Sequence, residues 1–133
     1  MNPDLSWVLN DVLEVRGARH AILVSADGLL MQRSDGIVRD DAERNAAAMS
    51  SLQSLCRSVA PFVGGGKGLW KQTLIEFDGG WIFLIAGGSG SYLAVSTALD
   101  VDMEAMSIRM QKTVGALTKA MSATPRQHTG ADA

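Results

Sequence analysis

Cysteine occurs once in this chain, at Cys56, so no internal disulfide can form. A lone thiol fits a reducing compartment, and a cytoplasmic location is expected. Histidine occurs twice, His20 and His128, with no paired spacing, so the sequence supports no metal site. No apolar run reaches membrane-spanning length. Met1-Asn2-Pro3-Asp4 lacks the basic-then-apolar order of a signal peptide. There is no excess of positive charge either: the formal net charge is -2. That argues against nucleic acid or an acidic membrane as partner, since both want a basic face.

Catalytic machinery is missing as well. Ser25 and Asp27 flank a turn, but no histidine stands where it would complete a nucleophilic set. Gly64-Gly65-Gly66-Lys67-Gly68 looks like a phosphate-binding loop and fails as one. The pattern needs a glycine where Pro61 stands and Ser or Thr where Gly68 stands. The loop also runs from helix to strand, the reverse of the order that aims a helix dipole at phosphate. Gly87-Gly88-Ser89-Gly90 leads into a strand, so it is no dinucleotide fingerprint. The chain is therefore expected to hold no cofactor and to catalyse nothing.

What is present centres on the stretch from Asp40 to Val63, which reads as one long helix. Between Arg44 and Arg57 it has not one charged residue. An ordinary surface helix carries a charged face opposite its apolar stripe. Here Leu52, Leu55, Val59 and Phe62 form one stripe. Ala42, Ala46, Met49, Cys56, Ala60 and Val63 form a second. The remaining face is Ala47, Ser50, Ser51, Ser54 and Ser58, small and uncharged. Such a helix is covered on more than one side. Either it lies wholly inside one domain, or a second copy of the chain supplies the second cover. The shortness of the chain favours the second copy. Asp40, with Glu43 after it, is expected to cap the helix; Pro61 and the glycine run stop it.

The flanking segments complete the order. Leu5 to Arg16 reads as a helix with Asp4 as cap and Gly17 as stop. His20 to Ser25 and Leu29 to Arg33 read as a hairpin about Asp27-Gly28. Leu69 to Phe77, Trp81 to Ala86 and Ser91 to Thr97 read as an antiparallel meander. Val101 to Met121 reads as the last helix, capped by Asp100. Its stripe of Met103, Met106, Met110, Val114, Leu117 and Met121 is taken as core rather than as a methionine-rich binding groove. The expected fold is α/β, a single five-stranded antiparallel sheet with three helices in the order α-β-β-α-β-β-β-α. Residues 1–121 form the domain, and 122–133 form a disordered tail. Trp70 starts a strand that looks like a sheet edge, where an aromatic is either packed under a loop or used in an interface.

This order resembles the roadblock/dynein light chain family. His20-Ala21-Ile22-Leu23-Val24-Ser25-Ala26-Asp27-Gly28-Leu29 resembles that family's first hairpin with its Ser-x-Asp-Gly turn. Lys71 to Gly80 resembles its third strand and turn, and Leu93-Ala94-Val95 with Asp100 its fifth strand and exit. The Ala42-to-Val63 helix and the Ser-Ala-Asp-Gly turn are most similar to actinobacterial members that accompany a sensor kinase and a Ras-like GTPase. The resemblance implies a homodimer, with long second helices antiparallel and third strands paired across the two-fold axis. The interface residues expected on that basis are Ala47, Ser50, Ser51, Ser54, Ser58, Trp70, Gln72 and Leu74. It implies a non-enzymatic regulator or scaffold that binds a small Ras-like GTPase, in the cytoplasm or held at the membrane by partners such as a sensor kinase complex. The alternatives are a small-ligand sensor of the same fold and an activating partner that stimulates GTP hydrolysis. Among Arg33, Arg39, Arg44 and Arg57, nothing singles out an arginine finger.

Overall fold

The Ser25-Ala26-Asp27-Gly28 turn shows how local chemistry shapes the first hairpin. The Ser25 hydroxyl donates to the Asp27 carboxylate and accepts from the Leu29 N–H at 3.1 Å. Gly28 takes φ +89°, a conformation side chains resist. The turn joins β1 (Ala18–Ser25) to β2 (Leu30–Arg33). The structure is a computed structural model and describes residues 4–64, 70–88 and 90–132, with side chains through residue 122. Before the hairpin comes α1 (Ser6–Val12); after it come α2 (Arg39–Ser58) and a 3-10 turn over Ala60–Val63. Then follow β3 (Gln72–Phe77), β4 (Gly80–Gly88), β5 (Ser91–Ala98) and α3 (Met103–Asp132). The five strands form the single antiparallel sheet that the sequence predicts, with its hairpin and its meander; the pairing of β1 with β5, which sets the order β2-β1-β5-β4-β3, comes from the structure alone. β5 thus lies between the two hairpins, and β2 and β3 are the edges.

Side-chain alternation divides the sheet into two packed faces. Ala21, Leu23, Phe83, Ile85, Leu93 and Val95 face α1 and α3, where they meet Val8, Leu9, Met106, Met110 and Leu117. Ile22, Val24, Leu84, Tyr92 and Ala94 face α2, where they meet Ala42, Ala46 and Met49. The methionine stripe of α3 is core: Met106 and Met110 are fully buried. Arg109 ties α3 to α1 by donating to the Asp11 carbonyl at 2.9 Å.

Element ends depart from the sequence reading for local reasons. α1 stops at Val12 rather than Arg16, because Leu13, Glu14 and Val15 turn to bonds three residues back. Asp4 is not its N-cap: that position is Leu5, which has no side-chain cap, and the Asp4 carboxylate one residue earlier accepts from the Ser6 N–H at 3.0 Å. The Asp40–Glu43 capping box does not form. α2 begins at Arg39 with no side-chain cap, and Glu43 instead pairs with Arg39 at 3.3 Å. α2 ends at Ser58, short of Val63, since Pro61 lacks the N–H an α-helix would need there. α3 is capped by Asp102, not Asp100, through the Ala105 N–H at 3.0 Å. Its backbone stays helical to Asp132, past Met121; Pro125 forfeits one hydrogen bond, but its fixed φ is a helical one. β3 begins at Gln72, and Leu69 lies outside the described residues.

Candidate interaction surface

α2 lies across the sheet with its charge confined to its ends. Arg39 pairs with Glu43, and Arg44 with Asp41 at 3.0 Å, all in the first turns and exposed. Such pairs contribute little to stability. At the far end Arg57 sits 5.9 Å from the Tyr92 ring centroid. The fourth arginine, Arg33, donates to the Ile37 carbonyl at 2.7 Å. Each arginine thus has a partner, and the geometry favours none as a finger.

Between those ends, α2 presents three flanks. The inner one is Ala42, Ala46, Met49 and Gln53, all buried. Gln53 was not among the residues the sequence assigns to that stripe. It is a polar residue at a core position, and its amide nitrogen is satisfied by the Ser50 carbonyl at 3.2 Å. A second flank faces the β1–β2 turn. Ser50 donates to the Ala26 carbonyl at 3.0 Å, and a Cβ on Gly28 would lie 3.4 Å from Ser50 and 3.8 Å from Ala47. The opposite flank faces β3, where the Cys56 thiol meets the Thr73 hydroxyl at 3.2 Å. About 100° of rotation per residue then leads from Leu52, half-buried against the core beside Cys56, outward to Val59 and Leu55 at the solvent. Leu55 is 65% exposed, Val59 59% and Phe62 93%. The stripe Leu55-Val59-Phe62 therefore has little cover among the described residues. Val63, expected on the inner stripe, is exposed because the helix has already ended.

β3 supplies the other half of the surface. One side of it pairs with β4; among the described residues its other edge pairs with no strand. Gln72 and Leu74 lie opposite Ile85 and Phe83, so they share the α1/α3 face; Gln72 is exposed and Leu74 is 42% exposed. Thr73 and Ile75 share the α2 face and are half-buried. Trp70 packs edge-on to Tyr92, with centroids 5.8 Å apart, and its indole N–H donates to Thr73 Oγ1 at 2.8 Å. It is held against its own sheet and still half-buried.

The eight residues expected at an interface are thus placed in two groups. Ser51, Ser54 and Ser58 are exposed on the outer serine flank of α2, beside Leu55. Ala47 is exposed too, and with Ser50 it leans toward the β1–β2 turn. Trp70, Gln72 and Leu74 lie at the β3 edge, on the other side of the helix. What joins the two groups is the apolar run Leu52, Leu55, Val59. It could have been read from the sequence, but only the Cys56–Thr73 contact shows which flank adjoins the edge.

Among the described residues no cluster of His, Cys, Asp and Glu could hold a metal ion. No described helix is long and apolar enough to cross a membrane. The Gly65-to-Gly68 part of the failed phosphate loop lies outside the described residues.

Comparison with known proteins agrees with this architecture. No curated protein matches the chain. A roadblock/LC7 domain from Streptomyces avermitilis is 30% identical, covers 90% of this chain and 99% of its own, and superposes with a TM-score of 0.83. A second from Streptomyces avermitilis is 33% identical over 86% of this chain and 99% of its own, with a TM-score of 0.69. MglB of Myxococcus xanthus, 17% identical over 90% of this chain and 95% of its own, shares the fold with a TM-score of 0.79. The Roadblock/LC7 domain profile matches residues 6–97, from the first turn of α1 to the end of β5. With that profile match, its strand order, its Ser-x-Asp-Gly turn and a long second helix that is free of charge from Asn45 to Cys56, the chain belongs to the Roadblock/LC7 family.

Proposed function

We propose that this chain is a non-enzymatic, homodimeric regulator that binds a small Ras-like GTPase. The observation that carries the reading is the adjacency of two unpartnered features: the uncharged outer face of α2 and the free edge of β3. An open edge pairs readily with another strand. A face of serine, alanine, leucine and valine can be buried without stripping water from any charge. In a symmetric dimer both features would meet their own copies. Gln72 and Leu74 would meet at the strand edge, and Leu55, Val59 and the Ser51-Ser54-Ser58 flank would meet between helices.

The dimer would present a face that a single chain lacks. A GTPase footprint of ordinary size, roughly 800 Å² per partner, fits such a face. The partner class comes from the resemblance of this chain to bacterial family members that work beside Ras-like GTPases. The test has two arms. Sedimentation equilibrium at micromolar concentration should give the dimer mass; a monomer throughout would remove the symmetric interface. Calorimetric titration with the GTPase encoded nearest this gene, in its GDP and GTP-analogue forms, should give saturable binding in at least one. Absence of binding in both would remove the partner. Hydrolysis accelerated by the dimer, and lost on replacing one of its arginines, would make it an activating partner instead.

A further inference from the structure

Between α2 and the sheet, small side chains leave a hole. Strands β1, β5 and β4 run side by side there, and their register puts His20 opposite Ser96 and Ser96 opposite Ile82. The next row along holds Ile22, Ala94 and Leu84. On the middle strand, Ala94 and Ser96 are too short to reach the helix above them. At the other end of the same face Tyr92 and Trp70 fill the equivalent space. What remains is a cavity of about 110 Å³, partly open to solvent, roofed by Asn45 and Met49 of α2.

Three polar residues line this cavity, and none has a fully engaged side chain. Nδ1 of His20 is buried without a hydrogen-bond partner. Asn45 donates its amide nitrogen to the Asp41 carbonyl at 2.8 Å, which leaves its oxygen open. The Ser96 hydroxyl makes no hydrogen bond to any described group. The remaining walls are aliphatic, and among the described residues no Asp, Glu, Lys or Arg lines the space. A mostly apolar hollow with a few convergent polar groups is the usual form of a small-molecule site.

We propose that this cavity binds a small, neutral, ring-sized molecule whose hydrogen-bonding edge meets His20, Asn45 and Ser96. Size sets the first limit. A dry cavity of about 150 Å³ takes up benzene, so a smaller hole open on one side admits a single ring. Charge sets the second. A carboxylate or ammonium would lose its hydration there and meet no opposite charge. The site does not depend on the GTPase reading. Its roof residues, however, stand on the helix that carries the outer face, so occupancy bears on the position of α2.

The test is an amide NMR titration of the full chain with phenol, with benzene and benzoate as comparisons. Phenol should give saturable shifts at Ile22, Met49, Ile82 and Ser96; benzene should bind more weakly and benzoate not at all. Ser96→Val narrows the hole and should weaken phenol at least about tenfold. His20→Leu removes the polar edge without a large change in volume. It should keep benzene binding, which also reports an intact fold, and lose most of the preference for phenol. The site is refuted if phenol fails to saturate, if benzoate binds equally well, or if His20→Leu leaves the phenol preference unchanged.

Discussion

Gly79 and Gly80 stand side by side in the turn between β3 and β4, and only one of them is crowded. A Cβ on Gly80 would run into the backbone carbonyl of Thr97 on β5, whereas one on Gly79 would meet nothing. Backbone cannot rotate aside as a side chain can. Gly80→Ala should therefore destabilise the fold by about 1–3 kcal/mol, the usual cost of overpacking, while Gly79→Ala stays within a few tenths. Urea denaturation of the two variants checks this, and equal midpoints would contradict it. Asp4 offers a second measurement at this scale. The Ser6 hydroxyl, and then the Ser6 N–H, hold its carboxyl below the ordinary value of 3.8. A depressed carboxyl adds stability above its unfolded value and loses it as pH falls through the folded one. Asp4 is fully exposed, so the effect is read at the carboxyl itself. Ser6→Ala should move the NMR-detected Asp4 titration upward, toward the ordinary value.

α2 separates what the sequence makes legible from what it does not. Its lack of charge from Asn45 to Cys56 is visible in the letters, and so is the inner stripe of Ala42, Ala46 and Met49. Which outer flank adjoins β3 is not visible, because helical periodicity fixes angles about an axis but not the direction of that axis over the sheet. The hairpin is equally legible through its Ser-x-Asp-Gly turn, whose Ser25 hydroxyl makes only local bonds. The buried Gln53 and the cavity beside His20 are not. The first depends on one amide finding the Ser50 carbonyl, and the second on the register of three strands distant in the chain. Helix ends were misread where two acidic residues compete for one cap, as with Asp100 and Asp102. A prediction belongs to this element. In the proposed dimer, Leu55→Asp and Ser54→Glu would each put two new charges into one symmetric contact, and each should raise the dimer dissociation constant at least about tenfold. Sedimentation velocity across a dilution series reads it. An unchanged dimer with Ser54→Glu alone would confine the interface to the Leu52-Leu55-Val59 flank.

For the molecule as a whole, the distribution of charge gives an expectation about salt. Mobile ions screen charges at the surface but leave apolar contact nearly untouched. If the dimer closes on the outer face of α2 and the β3 edge, its dissociation constant should change less than about threefold between low and physiological salt. Steep weakening with salt would point to a surface built from the charged ends of α2. The strand order carries a different consequence, one of timing. β1 and β2 can pair as soon as both are made, and so can β3 and β4. Strand pairing joins the two hairpins through β5, which pairs His20 with Ser96 and Trp81 with Thr97. During synthesis the first hairpin must wait, one sheet edge bare, until the chain has passed Ala98. Contacts so distant in sequence form late. A growing chain stopped before β5 should thus be the species that chaperones hold, and release from them should coincide with the emergence of residues 91–98 from the ribosome.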